Sequence, residues 1–585
     1  MIERGNHPRP DFYRQNWVSL NGTWQFSFDE AEKGLSEKWY LPQTELHQTI
    51  EVPFCYQSAR SGIGLEKQID VVWYRRKFTV PASFAKKRTV LGFGAVDYFA
   101  RVYVNGSFIG SHEGGYSPFR MDITDYLTDG ENDLCLYVED RPDRRQPRGK
   151  QYWLDGWKRC WYVPCTGIWQ SVWLEAAGET AIEKILVTPD IDNGEMKAEI
   201  ILNGKPADDM TLAVEVLDGE KTFKKLTVRP DSACTRVTVS MLDPVGIEDI
   251  HLWTPKDPML YDLRVTLTDG KETLDEVTTY FGMRKIEVRD GYILLNNRAV
   301  YLRMVLDQGY WPDSLMTAPD DDALRADVEW TLKLGYNGAR KHQKVEDPRY
   351  YYWADRLGLL VWGEIPAAFE FTGKAVRNTA ETMWDMIERD MNHPSVIAWV
   401  PVNESWGMTR MYDNAQMQSA ARMLYHACKA LDPTRIVSTN DGWETVETDI
   451  LGLHDYTAKG RDLLFHFDDR VRRENYAVDS RMSCSTGYRP AGGEALMVTE
   501  YGGIAMDNTG SGWGYNGKVK DEEEYLSRFK DATDGIRAIR DCRGYCYTQL
   551  TDVRQEINGV LRADRTPKVD VERFRACNVN PDGER

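Results

Sequence analysis

Nowhere does this 585-residue chain reach the roughly 20 consecutive apolar residues that a membrane-spanning helix needs. Its start, MIERGNHPRPDFYRQNW, carries neither an apolar stretch nor a cleavage-like site. The expectation is a cytoplasmic protein with no membrane partner. Positive charge is short as well: 73 Lys and Arg against 91 Asp and Glu leave a formal net charge of −18, and the pI is near 5.2. Nucleic-acid binders present a basic face or stripe, so this balance excludes a role that depends on neutralising phosphates. Histidine numbers only nine, and no close-spaced carboxylate cluster suggests an oxygen cage, so neither a metal nor another cofactor is expected. A disulfide framework is also missing. Of the ten cysteines, only Cys160 and Cys165, and Cys542 and Cys546, lie close together. Neither pair is followed by the second pair of a structural zinc site, so buried reduced thiols are expected for most of the ten. Fixed-period repeats and low-complexity tracts are absent.

What is present is length and aromatic surface. At about 150 residues per domain the chain should hold three or four cores, and its 19 Trp, 30 Tyr and 18 Phe are side chains that pack against flat ligand faces as readily as in cores. Residues 15–180 are β-rich: TWQFSF, VVWYRRKFTV, YFARVYVNG, LCLYVED and IWQSVWLEAA are separated by turn residues with no long amphipathic helix between them. This predicts a β jelly-roll sandwich over 1–180. The more polar strands of 181–285 suit an immunoglobulin-like β-sandwich. From about 300 the texture changes to apolar strand-like runs alternating with helical segments. YLRMVL, YNGARKH, LLVWGEIP, VIAWVPVNE, RIVSTNDG, DILGLHDY, ALMVTEYGG and YCYTQLTDV make eight strand candidates. A (β/α)8 TIM barrel over 286–585 is expected, with its chemistry at the C-terminal ends of the strands.

Two of those ends carry glutamates: Glu404 closes VIAWVPVNE and Glu500 closes ALMVTE. Paired, rigidly held carboxyl groups are what glycoside hydrolysis uses, one to protonate the leaving oxygen and one to attack or to activate water. On strand pattern alone either could equally be an ordinary loop acid.

The segments WVPVNESWG and VTEYGG resemble the acid/base and nucleophile motifs of glycoside hydrolase family 2, which includes β-galactosidases, β-glucuronidases and β-mannosidases. LNGTWQFSFD, VYVNGSFIGSHEGGYSPF and TGIWQSVWLE resemble that family's jelly-roll signatures, and the likeness extends over nearly the whole chain. The resemblance implies Glu404 as general acid/base, with a raised pKa, and Glu500 as nucleophile. It implies that Asn403 contacts the sugar 2-hydroxyl, that Arg340 contacts the nucleophile with His342 facing the sugar, and that Tyr456 touches the nucleophile. Further strand-end residues are expected around the substrate: Asp307 and Gln308, Trp406, Asp441 and Trp443, His454, and Tyr547 as a platform under the sugar. Glu364 is either another pocket acid or a buried, paired one.

The leading function is therefore a retaining exo-β-glycosidase acting on a carbohydrate or glycoconjugate, with a neutral, galactose-like terminal sugar first. The family's glucuronidases bind the uronate through an Asn-x-Lys pair, whereas INGVLRADR has Asn558 and then Val560, leaving Arg554 or Arg562 as substitute cations for a uronidase. A noncatalytic carbohydrate-binding protein would be expected to have lost one carboxylate. An aldolase would want a Schiff-base lysine, for which Lys341 qualifies by position only. A homo-oligomer is compatible with the composition and not required by it.

Overall fold

A computed structural model of the chain describes residues 4, 6–154, 156–242, 250–469, 492–506 and 512–579, with a few positions between 472 and 488. The first sandwich stacks a four-stranded sheet, built from Trp17–Ser19, Val172–Ala177, Arg88–Phe93 and Phe119–Asp122, on a six-stranded one that runs from Gln48–Val52 to Ser107–Glu113. Alternate residues such as Phe26, Tyr74, Leu91, Val102, Leu136 and Leu174 meet between the layers. The second sandwich packs three strands against four around Ile185, Ile200, Val214, Leu263 and Val277. Its edge strand Lys221–Val228 carries three lysines, which discourage pairing with another chain.

Buried ion pairs tie the sandwiches together. Arg14 bonds Glu175 of the first at 2.6 Å and Asp275 of the second at 3.0 Å. The second sandwich is fastened to the barrel by Tyr280, which donates to Asp355 at 2.9 Å. The first is fastened by the amides of Arg148 and Gly149, which both donate to the Ala367 carbonyl.

The eight strand-like runs are the eight parallel strands of the barrel: β1 (Leu302–Asp307), β2 (Gly338–Lys341), β3 (Leu360–Glu364), β4 (Val396–Val400), β5 (Ile436–Val437), β6 (Ile450–His454), β7 (Ala495–Gly502) and β8 (Cys542–Thr548). Pairing runs continuously from β6 through β7, β8 and β1 to β5. Beyond β4 and β5 the ladder continues as Val402–Asn403 paired with Asn440–Asp441, and β6 approaches this extension through His454 N, which donates to Gly442 O at 3.4 Å, so the barrel is nearly closed. Met304, Leu306, Trp362, Ala398, Met497 and Cys546 fill the interior, and the residues between them face the surrounding helices. The helices start and stop where their sequences direct. Asp347 caps Pro348–Leu357 and Gly358 ends it at φ +80°, where an added Cβ would lie 2.3 Å from the Pro255 carbonyl.

The cysteine expectation needs one correction. Cys55 and Cys165, 110 residues apart in sequence and 5.5 Å apart at Cα, form a disulfide. Neither close-spaced pair is bridged, and Cys135, Cys428, Cys542 and Cys546 are buried free thiols. Cys484 lies outside the described residues.

Candidate active site

Strand alternation determines which residues reach the barrel mouth. On β2, Arg340 points inward and is fully buried, so its charge must be compensated on every side. Nε donates to Glu364 at 2.7 Å, Nη1 lies 2.8 Å from Asp441 and 2.9 Å from Glu500, and Nη2 donates to Asn403. Four strand ends are thereby tied to one guanidinium. Burial opposes its charge, but Asp441, Glu364 and Glu500 more than offset this and its pKa is raised.

Glu500 reaches the interior because the β6–β7 ladder shifts register at Leu453/His454 and the β7–β8 ladder at Val498/Tyr501. Its two oxygens are held by different donors, Oε1 by Arg340 and Oε2 by the Tyr456 hydroxyl at 2.5 Å.

Glu404 is presented by a turn in which it and Ser405 both adopt left-handed backbone, φ +50° and +52°. Non-glycine residues rarely sit there unless their surroundings enforce it. The enforcement is visible: Glu404 N donates to Asp441 O at 2.9 Å, Ser405 N donates to the Asn440 side chain at 2.9 Å, and Ser405 Oγ donates to Glu444. One ligand atom each of Glu404, His454 and Glu500 lies within 4.8 Å of the others. His454 Nδ1 is 2.9 Å from Glu404 and Nε2 is 3.2 Å from Asp441, so hydrogen bonding accounts for this grouping without an ion.

The electrostatics correct one expectation. Burial pushes the Glu404 carboxyl up, but the hydrogen bond and charge of His454, with Lys150 and Arg340, offset this and the net shift is downward. His454 moves the other way: despite burial, Glu500, Asp441 and Glu404 raise it from 6.5 to about 10. These opposite shifts favour the proton on the imidazole over the Glu404 carboxyl. Glu364, fully buried, is pushed up to about 7 chiefly by desolvation, and as a partner of Arg340 it is the buried, paired acid of the two alternatives.

The other expected residues divide into two groups. His342 lies 3.0 Å from Glu364, and burial, Lys150 and Arg340 hold its pKa low. Gln308 donates to Gln549 at 2.9 Å on the same inner face. Trp406 donates to Glu404 at 3.3 Å and packs edge-on to Trp161, with Trp443 behind it. Asp307 and Tyr547 fall on the opposite parity and face outward. Asp307 pairs with Lys341 at 2.8 Å, and Lys341 also pairs with Glu346, so this lysine is no free Schiff-base nucleophile. Tyr547 bonds Tyr525 and packs on Phe529 of the helix Glu522–Ala538, while Cys546 and Thr548 take the inner positions. It supplies no platform under a sugar.

The strand-end reading missed the contribution of the first sandwich. Residues 140–154 and 156–166, between Glu131–Glu139 and Gly167–Ile168, reach the barrel mouth. They bring Trp153 and Trp161 against Phe369 and Trp406, and Lys150 near Glu404, Glu500 and Glu556. The signal available in the sequence was the length of this segment, since long connections without regular structure are commonly functional.

This arrangement can be set against known proteins. The sugar binding domain of Glycosyl hydrolases family 2 matches residues 17–174, a further domain of that family matches 180–284, and its TIM barrel domain matches 286–579. The chain belongs to glycosyl hydrolase family 2. Among family 2 relatives, a β-galactosidase of Thermoanaerobacter pseudethanolicus is 29% identical over 66% of this chain, a match spanning 50% of that protein's length. A β-glucuronidase of Paenibacillus borealis is 25% identical, with 95% of this chain and 96% of that one covered. The apo structure of a β-glucuronidase from Ruminococcus gnavus superposes with a TM-score of 0.80 at 20% identity over 97% of this chain and 98% of that one, which establishes a shared fold. The described family 2 chain contains no helix long and apolar enough to cross a membrane.

Proposed function

We propose that the chain is a retaining exo-acting β-glycosidase in which Glu500 attacks the anomeric carbon and Glu404 serves as acid and then base. The observation that carries this reading is the facing pair: one oxygen of each carboxyl lies within 4.8 Å of the other. Retaining enzymes hold their carboxyl groups about 5–5.5 Å apart, and inverting ones leave about 6.5–9.5 Å for a water. Arg340 and Tyr456, one on each oxygen, orient Glu500 for attack. The acid step draws its proton from His454 Nδ1, which passes it to Glu404 Oε1 as the leaving oxygen departs. Glu404, then anionic, activates the water that releases the sugar. Asn403 beside Glu404 is assigned to the sugar 2-hydroxyl, and Gln308, His342 and Trp406 to the pocket wall.

A neutral terminal sugar is the first reading of substrate. Val560 is buried among Leu550 and Leu561, Arg554 pairs with Glu66 at 2.5 Å, and Arg562 donates to the Pro567 carbonyl, so none of the three offers a cation to the pocket. A β-glucuronide is the second reading, supported by the full-length likeness to a β-glucuronidase. A panel of aryl β-glycosides, neutral and uronic, followed by proton NMR of the first-formed product, tests both. Retained configuration is expected, and inversion would contradict the double displacement.

The proton relay has its own pH signature. Free His454 keeps its proton to about pH 10, so the alkaline limb of kcat/KM should lie high. In His454→Asn, Glu404 loses the partner that lowers it while keeping the burial that raises it. The limb should then move to lower pH, toward Glu404's own titration, and an unmoved limb would remove His454 from the relay. The raised imidazole also stabilises the fold fully below pH 6.5 and ceases to do so as the pH passes about 10. The variant should therefore show a flatter melting temperature across that window.

A further inference from the structure

Lys150 is the least explained charge near the carboxylates. It comes from the first sandwich and is 8% exposed, and among the described residues its ammonium has no hydrogen-bond or ion-pair partner. An ammonium offers three donors and no acceptor, so a ligand that supplies acceptors at this position would make bonds that no protein group makes there. It is firmly placed. The Gly149 backbone runs so close to the barrel that a Cβ there would lie 2.3 Å from the Gln343 carbonyl, and the Lys150 carbonyl accepts from Tyr162 N at 2.8 Å.

The same Tyr162 donates its hydroxyl to Glu556 at 2.5 Å. Glu556 is 1% exposed and sits in the segment that follows β8, two residues before Asn558. One tyrosine thus joins a lysine of the sandwich to a carboxylate of the barrel. A carboxylate has about four lone-pair sites, so Glu556 keeps capacity to accept after Tyr162 is served. The charges facing Lys150 are Glu556, Glu500 and Glu404, with the thiol of Cys160 beside it. Those facing Glu556 are Lys150 and Glu500.

We infer that Lys150 and Glu556 form a two-domain subsite that reads hydroxyl groups of a neutral terminal sugar, the lysine donating and the glutamate accepting. The inference rests on the glycosidase reading above and specifies its substrate class. A hydroxyl can accept from one member and donate to the other, which satisfies both without adding charge. A uronate in the same place would meet Lys150, but it would also lie against Glu556 and near Glu500 and Glu404. Like charges at that range oppose binding strongly.

The test uses the whole chain, the best neutral aryl glycoside from the panel, its singly deoxygenated analogues and the matching uronide. Wild-type protein should discriminate against at least one deoxy analogue by about 30-fold or more, as sites built to bond a hydroxyl do. Lys150→Met and Glu556→Gln should each lower kcat/KM for the parent by about 10- to 100-fold and flatten that discrimination. Glu556→Gln, whose amide oxygen still accepts from Tyr162, should in addition raise the uronide-to-neutral ratio about tenfold. Melting temperatures near wild type exclude misfolding, and the wild-type deoxy series stands even if a variant fails to fold. Variants within threefold of wild type with an unchanged deoxy pattern would overturn the inference. So would a preferred uronide whose turnover falls selectively in Lys150→Met. A wild-type protein inert on every glycoside would instead defeat the glycosidase reading itself.

Discussion

Replacing Glu500 with glutamine should lower kcat/KM for an aryl β-glycoside by at least about 10⁴-fold, to the level of background hydrolysis. The amide keeps the shape of the side chain but cannot form the glycosyl ester. It also accepts poorly from two donors at once, so the bonds now made by Arg340 and Tyr456 lose their charge-assisted strength. The fold should survive, because Arg340 retains Glu364 and Asp441 as buried counter-ions. Circular dichroism and thermal melting should therefore remain close to wild type while turnover disappears. Activity within about tenfold of wild type would remove Glu500 from the nucleophile's role, since a well-placed covalent catalyst contributes far more.

Glu404→Ala should produce a loss that depends on the leaving group. Substrates with poor leaving groups need the departing oxygen protonated and should fall by about 10²- to 10⁴-fold. An activated dinitrophenyl glycoside needs little such help, so its first step should persist. Its second step lacks the base, and a burst of phenolate should precede slow turnover. Azide, a nucleophile that requires no base, should restore the rate and give a glycosyl azide of retained configuration. Equal losses for good and poor leaving groups, with no azide rescue, would make Glu404 a structural residue. Attention would then pass to Glu364, whose pKa of about 7 suits an acid but whose burial beneath Arg340 argues against contact with a leaving group.

Much of the architecture was legible in the sequence, for a physical reason. Each barrel strand is a short apolar run ended by polar residues, and eight such runs separated by helical pattern admit few arrangements. The positions of Glu404, Glu500, Arg340 and Tyr456 at strand ends follow from the same pattern together with the family motifs, and the structure brings all four side chains together. What strand-end position does not specify is parity. Asp307 and Tyr547 stand at the right height but on the wrong face, because one residue along a strand reverses the side chain. The low pKa direction of Glu404 depends on His454, 50 positions away, and the Cys55–Cys165 bond depends on loops brought together only by folding. Lys150 and Trp161 were hidden for a related reason. They lie in a connection of the first sandwich whose length marks it as functional but does not indicate that it crosses to another domain.

The most direct test of the central claim is to trap the intermediate. A 2-deoxy-2-fluoro glycoside with an activated leaving group slows both steps but leaves the second slower, so the glycosyl-enzyme accumulates. Intact-mass measurement followed by peptide mapping of the inactivated protein should then show one fluorosugar per chain, attached to Glu500. A label on any other residue would contradict the assignment of Glu500 as the nucleophile. Inverted product from a substrate the enzyme turns over, with no covalent adduct formed, would contradict the retaining mechanism.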